Sequence, residues 1–289
     1  MLINIFNSNK LWIAFTYAVL TVEETLISFI PLFLGLALDS MLEGSSGHMW
    51  LYVSVIVTSL SISVLRRLWD TRFYVSIWSR LASDRINTMI IKGIDRSKIV
   101  SRTHMLIEYT RFYEYSLPMA LTAGIDMAIS LGMLFYFMPK VSVAIVIILS
   151  LALLSQYLMV LAQQRVDNEK QLTSEAMNEI LMHDESPEVT KHLKQQGRWM
   201  IRSSDLDAYA YGVHETLANV AEIIVIMTLV LSAYTTGEIM INLTYVYKLF
   251  TRANCVGTCF LHLKILENYS KFLNESQPGQ HALDEGVPE

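Results

Sequence analysis

Long runs of apolar residues constrain this chain more than any other feature of its sequence. A transmembrane α-helix needs about 20 mostly apolar residues to cross the hydrocarbon core of a bilayer. Only 17% of the residues are charged and 53% are hydrophobic, whereas soluble domains carry about 25% charged residues. The sequence therefore predicts an all-α membrane protein with six long transmembrane helices. The six apolar runs are Leu11–Leu38, Trp50–Leu65, Leu117–Phe137, Val141–Ala162, Ala218–Tyr234 and a more polar one from Ile239 to about Leu263.

The charges of the connecting segments predict how the chain is oriented in the membrane. Ten Lys and Arg residues lie between Arg66 and Arg111 and six lie between Arg165 and Arg202, whereas the short turns carry almost none. Because loops rich in Lys and Arg stay on the cytoplasmic side, both basic segments and both termini are predicted to be cytoplasmic. The expected location is the inner or plasma membrane, crossed several times by the chain. The net charge of −5 gives no reason to expect a nucleic-acid partner.

The two basic segments are predicted to be helical extensions of the membrane helices. Apolar residues keep a helical spacing through Tyr74–Ile94 and Val166–Ile180. Helices 2 to 5 are therefore expected to continue into the cytoplasm as two helical hairpins. The tips of the hairpins are predicted near Gly93–Thr103 and His183–Gly197, the second carrying a short helix from Glu188 to Gln196. Tight turns on the other side join helices 3 and 4 and helices 5 and 6.

Three regions are predicted along the chain. Residues 1–10 form a cytoplasmic N-terminus, residues 11–272 form the six-helix membrane domain, and residues 273–289 form a disordered cytoplasmic tail that is polar and contains Pro and Gly. Cys255 and Cys259 lie four residues apart on a predicted helix, where small packing residues are favoured over metal ligands. The triplet His183-Asp184-Glu185 with His192 is interpreted as a solvated turn rather than a metal site.

Several short segments, taken in order, resemble the six-helix transmembrane domain of ABC exporters. Ile30–Gly35 with Asp39 looks like the end of helix 1 in that family, and Ala82–Ile86 looks like the segment before the first coupling helix. Glu179 followed by Glu188–Lys191 looks like the approach to the second coupling helix. Thr236–Ile239 looks like the turn between helices 5 and 6, with Tyr245 and Tyr247 after it. The resemblance spans about residues 10–272.

The resemblance implies an ABC-exporter arrangement in which two copies associate as a homodimer in the lipid bilayer. It also implies that an ATPase docks on the cytoplasmic hairpins. The residues placed at that docking surface are Asp95, Arg96, Lys98, Glu188, Lys191 and Lys194.

Exporters of this family usually carry their ATPase after helix 6, and this sequence shows no phosphate-binding loop. None of its twelve glycines opens G-x-x-x-x-G-K-[ST]. The chain is therefore not expected to be an enzyme or to hold a cofactor. Two functions stay open: the membrane subunit of an exporter-like transporter driven by a separate ATPase, or an ATPase-free scaffold that acts as a channel, effector or regulatory protein.

Charged residues inside the apolar runs are the strongest candidates for a functional site, because ionisable groups are costly in a bilayer. Counted from the predicted outer turns at about 1.5 Å per residue, they lie roughly 20–24 Å into the membrane. A layer of ion pairs is favoured over a polar substrate or ion site. Glu222 and Arg252 are predicted to pair, because both lie 15 residues from Gly237. The predicted layer comprises Glu23, Glu24, Arg66, Arg67, Asp126, Glu222, Lys248 and Arg252.

Two further helix faces are distinctive. Helix 3 carries small residues at every fourth position, which predicts close packing against another helix. These residues are Ala120, Gly124, Ala128 and Gly132. Helix 6 is so polar that it is predicted to line a cavity or a dimer interface instead of facing lipid.

Overall fold

The computed structural model describes residues 10–91, 93, 103, 111–182, 186–232 and 234–275. These residues form six long α-helices and no strand, which confirms the predicted all-α architecture. A π-helical turn at Phe112–Ser116 leads into the third helix. The helices are α1 (Lys10–Leu42), α2 (Gly47–Ile91), α3 (Leu117–Phe137), α4 (Pro139–Met182), α5 (Ser186–Val230) and α6 (Thr236–Glu275).

Five of the helices are long and apolar enough to cross a membrane, so the protein is a multi-pass membrane protein. Their spans are Leu11–Leu42, Gly47–Ile91, Phe112–Phe137, Pro139–Val166 and Thr190–Val230. Helix α6 is not among them, because Glu238, Lys248 and Arg252 interrupt its apolar residues within its first 17 positions. The sixth predicted span is thus a long helix whose polar side chains need partners inside the protein.

Three of the four helices that were predicted to extend beyond the membrane are much longer than a bilayer requires, and most of the segment before the fourth, α3, lies outside the described residues. Helices α2, α4 and α5 contain 45, 44 and 45 residues. At 1.5 Å per residue each is roughly 65 Å long, about twice the 30 Å thickness of the hydrocarbon core. The predicted helical continuation through residues 74–91 and 166–180 is therefore confirmed. Nearly all of the first predicted hairpin tip, Gly93–Thr103, lies outside the described residues.

The second hairpin tip differs from the prediction. A separate short helix from Glu188 to Gln196 was expected, with a break by Gly197, but α5 runs without interruption from Ser186 through Gly197 to Val230. A single glycine costs a helix only about 1 kcal/mol relative to alanine, which the rest of a long helix easily offsets. Helix α5 itself begins at Ser186, and Pro187 occupies an early position that favours helix initiation. Residues 183–185, between α4 and α5, lie outside the described residues.

The described chain forms two compact units. One unit comprises the described residues within Ser28–Val55 and Ala123–Leu261. Its apolar core is built from α3, α4, α5 and α6, each of which contributes residues at helical spacing. Helix α4, for example, contributes Ile145, Leu149 and Ala152. The largest fully buried side chain of this core is Tyr245 on α6.

The other unit comprises the described residues within Met1–Ile27, Ile56–Thr122 and His262–Glu289. Here α1 and α2 run antiparallel, since Glu23 contacts Arg66 and the ring of Trp12 lies 5.6 Å from that of Trp69. The hydroxyl of Tyr17 donates a hydrogen bond of 3.1 Å to the carbonyl oxygen of Tyr113, just before α3.

The carboxylate of Asp39 links the end of α1 to the start of α6 through hydrogen bonds. Asp39 accepts a hydrogen bond of 2.7 Å from the backbone nitrogen of Gly237 and one of 2.6 Å from the hydroxyl of Thr235. Thr235 and Glu238 also cap each other's backbone nitrogens, the capping box expected from a Thr-x-x-Glu sequence. The close approach of the two helices requires glycine, because a Cβ on Gly35 would lie 2.6 Å from the carbonyl oxygen of Gly237.

The row of small residues on α3 makes no close helix contact within the single chain. Gly124 and Gly132 are exposed, and among the described residues nothing lies within 4 Å of the place where either would carry a Cβ. The face of α3 that is buried within the chain is formed by Ala123, Asp126 and Ser130, together with Leu134. The predicted approach of another helix to the small residues stays a prediction, because the spacing permits such a contact without supplying the partner helix.

We expect Gly35→Ala to lower the free energy of unfolding by about 1–3 kcal/mol, the usual cost of forcing an extra methyl into a packed site. The matched control is Gly212→Ala, which adds the same methyl on an exposed face of α5 and should be neutral or slightly stabilising. Thermal unfolding in one detergent measures both. Equal melting temperatures for the two variants would contradict the close approach of α1 and α6.

Candidate functional site

The first buried ion-pair network centres on Asp126, whose side chain is fully buried. Lys248 Nζ lies 2.8 Å from Asp126 Oδ1, and Arg252 Nε lies 2.5 Å from Asp126 Oδ2. Both bases come from α6, where they lie one helical turn apart. Asp126 faces them because it shares the buried face of α3 with Ala123 and Ser130. One carboxylate therefore joins α3 to α6 through two charged hydrogen bonds.

Helix α1 enters the same network through its backbone and one hydroxyl. Ser28 donates a hydrogen bond to Asp126 Oδ1, and the hydroxyl of Tyr245 donates a hydrogen bond of 3.1 Å to the backbone carbonyl oxygen of Ser28. Three helices thus meet at a carboxylate that water does not reach. A polar group buried in this way is stabilised only if its hydrogen bonds are made inside the protein.

The second network joins α1 and α2 through Arg66. Its guanidinium donates to both oxygens of Glu23, the longer contact being 3.4 Å from Nη2 to Oε1. Its Nη1 also lies 2.5 Å from Asp70 Oδ2, one helical turn along α2. The side chains of Glu23, Arg66 and Asp70 are 3%, 13% and 11% exposed, so the cluster is largely desolvated. Two carboxylates therefore share one guanidinium group.

The structure brings together most, but not all, of the predicted charged layer. Glu23 and Arg66 pair with each other, and Asp126 pairs with Lys248 and Arg252. Two further residues of the predicted layer lie elsewhere. Glu24 is buried and has interactions of its own, and Arg67 is exposed.

The predicted pair of Glu222 and Arg252 is wrong. Arg252 binds Asp126, and Glu222 forms no ion pair with any residue that the structure describes. Equal distance from a turn sets the depth of two residues but not the direction in which they point around the helix. The Arg252 side chain points from α6 toward α3, and Glu222 is left half-buried on α5.

The predicted docking residues are described only in part. Asp95, Arg96 and Lys98 lie outside the described residues, and so does the side chain of Glu188. Lys191 and Lys194 are exposed on the first turns of α5. In the part of the chain that the structure describes, no three His, Cys, Asp or Glu side chains lie close enough to hold a metal ion. The triplet at residues 183–185 is outside that part. Cys255 and Cys259 are free thiols.

Sequence reasoning missed several polar residues of the interior. Asp70 could have been found, because it lies four residues after Arg66 and therefore on the same helix face. Nothing in the sequence pointed to Ser28, to the hydrogen bond of 2.9 Å between His214 Nε2 and the carbonyl oxygen of Phe250, or to that of 3.0 Å from Gln156 to Asn254. Gln156 and Asn254 also line a cavity of about 220 Å³ between α4, α5 and α6.

Both networks favour the interpretation as ion pairs that hold helices together. The charges are satisfied within the chain, and Asp126 has no exposed surface that a substrate could reach. Isolated charges inside a bilayer would be costly, so each network stabilises the contact between its helices.

We expect a double-mutant cycle with Asp126→Asn and Arg252→Gln to show a coupling of about 0.5–3 kcal/mol in the free energy of unfolding. The two side chains are in direct contact, so removing either should remove much of what the other contributes. The control is the cycle of Glu222→Gln with Arg252→Gln, for which additive effects are expected. Melting temperatures in detergent provide the measurement, and the assignment fails if the control cycle couples as strongly.

We expect Arg66→Gln to destabilise the protein by about 3–5 kcal/mol, because it leaves Glu23 and Asp70 buried without their base. The neighbouring substitution Arg67→Gln removes the same charge from an exposed side chain and should change stability by less than about 0.5 kcal/mol. Both variants are compared by thermal unfolding at neutral pH. A similar loss in the two variants would mean that Arg66 is not buried as described.

Comparison with known proteins agrees with the predicted resemblance. The model of the family described as the ABC transporter transmembrane region matches residues 2–240, which include α1 to α5 and the start of α6. No curated protein matches the chain significantly. The long apolar helices, the absence of strands in the described residues and the extent of this match lead to one conclusion. The chain belongs to the family of ABC transporter transmembrane regions.

Proposed function

We propose that this chain is the membrane-spanning subunit of an exporter-like ABC transporter, in which two copies form the translocation pathway and a separate ATPase drives it. The observation that carries the proposal is the family match over residues 2–240. The proposed orientation places the long extensions of α2, α4 and α5, and both termini, in the cytoplasm. The positive-inside rule supports this orientation.

The length of α4 and α5 supports docking of an ATPase. Each helix extends roughly 35 Å beyond the thickness of a hydrocarbon core. The parts of α4 and α5 that extend beyond the membrane could form a docking surface for a soluble partner. Lys191 and Lys194 lie exposed near this end of α5, where an acidic surface could bind them.

The exposed row of small residues on α3 supports a homodimer. Gly124, Ala128 and Gly132 are open in the single chain, and small residues at this spacing let another membrane helix approach closely. A second copy supplies such a helix without any further partner.

We expect the tagged chain, purified from its native membranes, to be found by native mass spectrometry as two 32.9 kDa copies with an ATPase. Lys191→Glu combined with Lys194→Glu should lose the ATPase and keep the dimer, because both side chains are exposed and lie more than 20 residues before the apolar run Ala218–Tyr234. The matched control is Lys140→Glu, an exposed lysine at the opposite end of α4, which should keep both. A complex without any nucleotide-binding protein would favour the ATPase-free scaffold.

A further inference from the structure

A cleft between α4 and α5 has the composition of an amphiphilic binding site. Its volume is about 260 Å³. Its lining is mostly apolar and includes Ala162, Val166 and Leu206. Arg165, Arg202 and Trp199 also line it, and the side chains of both arginines are exposed. A site of this kind fits a ligand that is anionic at one end and apolar at the other.

The guanidinium groups of the cleft are available to a ligand. Arg165 and Arg202 are exposed, and neither forms an ion pair with any described residue. The guanidinium carbon of Arg202 lies 5.7 Å from the centre of the Trp199 ring, a cation–π contact that orients the group without neutralising it. Glu169, the acidic residue of the lining, already takes part in an interaction. The lining therefore carries an excess of one positive charge.

The depth of the cleft places it at a membrane surface. Arg165 follows the start of α4 by 26 residues, and Arg202 precedes the end of α5 by 28 residues. At about 1.5 Å per residue both lie roughly 40 Å from the turns at the other side, and a bilayer with its headgroups is about 40–45 Å thick. The apolar run of α4, Val141–Ala162, ends at Ala162, which lines the cleft. Tryptophan is enriched at this level of membrane proteins.

We propose that this cleft binds the headgroup of an anionic phospholipid, such as phosphatidylglycerol. The two guanidinium groups bind the phosphate, since arginine matches phosphate oxygens in a bidentate geometry. The apolar residues of the lining contact the acyl chains, together with the exposed Leu158 and Leu161, which precede them on α4. Basic pockets between membrane helices on the cytoplasmic side are known sites for acidic headgroups. The assignment of the cleft to the inner leaflet rests on the proposed orientation, whereas the lipid chemistry does not.

The experiment titrates the full chain in detergent with phosphatidylglycerol or phosphatidylcholine and counts bound lipids by native mass spectrometry. We expect phosphatidylglycerol to bind at least about ten-fold more tightly. Arg165→Gln combined with Arg202→Gln should weaken that binding by roughly five-fold for each arginine. The matched control is Arg80→Gln combined with Arg198→Gln, which removes two exposed arginines that do not line the cleft and should leave the binding unchanged.

Three results would overturn the proposal: equal binding of the two lipids, an equal loss in both double variants, or unchanged binding in the Arg165 and Arg202 variant.

A competition with inorganic phosphate separates the two sources of the phosphate group. Displacement of the lipid by millimolar phosphate would assign the cleft to a free anion and reject the lipid. Melting temperatures without added lipid identify any variant that is misfolded, and Arg165→Lys with Arg202→Lys then serves as the second test, with partial retention of binding expected. None of these measurements requires an ATPase, so the lipid site and the proposed transport function can fail separately.

Discussion

The buried carboxylate of Asp126 is the interaction on which the arrangement of α1, α3 and α6 depends. The first half of helix α6 is too polar to face lipid. Its packing against the other helices is stabilised because its bases pair with a carboxylate on α3. Lys248 and Arg252 bind Asp126, while Tyr245 and Ser28 connect the same point to α1. Removing the carboxylate would leave two bases in a desolvated interior, where a lone charge costs several kcal/mol. The polarity of α6 and the charge on α3 therefore have to be understood together.

The sequence predicted the helices well because the bilayer imposes their length. Residues such as Val141–Ala162 must span about 30 Å, and no other secondary structure satisfies their backbone groups inside a single segment. The helical continuation of α2 and α4 was predicted on a different ground, the helical spacing of apolar residues beyond the membrane runs. The break expected at Gly197 was wrong, because a local preference of about 1 kcal/mol was given more weight than the continuity of a 45-residue helix.

The candidate site was predicted in its residues but not in its pairs. A charged residue in or next to an apolar run is easy to recognise in a sequence, so Glu23, Arg66 and Asp126 were found directly. The partner of each charge depends on the rotation of its helix, and a single sequence gives no measure of that rotation when the helix is buried on several faces. The open face of Gly124 and Gly132 shows the same limit. The depth of a residue follows from counting, whereas the direction of its side chain follows from packing.

The two bases around Asp126 also bear on how α6 could move past α3 if the proposed transporter changes conformation. Lys248 and Arg252 lie four residues apart, so they occupy the same helix face about 6 Å from each other along the axis. A shift of α6 by one turn could therefore break one ion pair while the other base stays with the carboxylate. The charge of Asp126 would then remain paired throughout the movement, and the step would avoid the desolvation cost of an unpaired carboxylate. Asp39 near the end of α1 is held differently, because it binds the backbone of Gly237 and the hydroxyl of Thr235 at the turn before α6. A movement of this kind would therefore keep the carboxylate of Asp126 paired, but it would break the contacts of Asp39 unless α1 moves together with the start of α6.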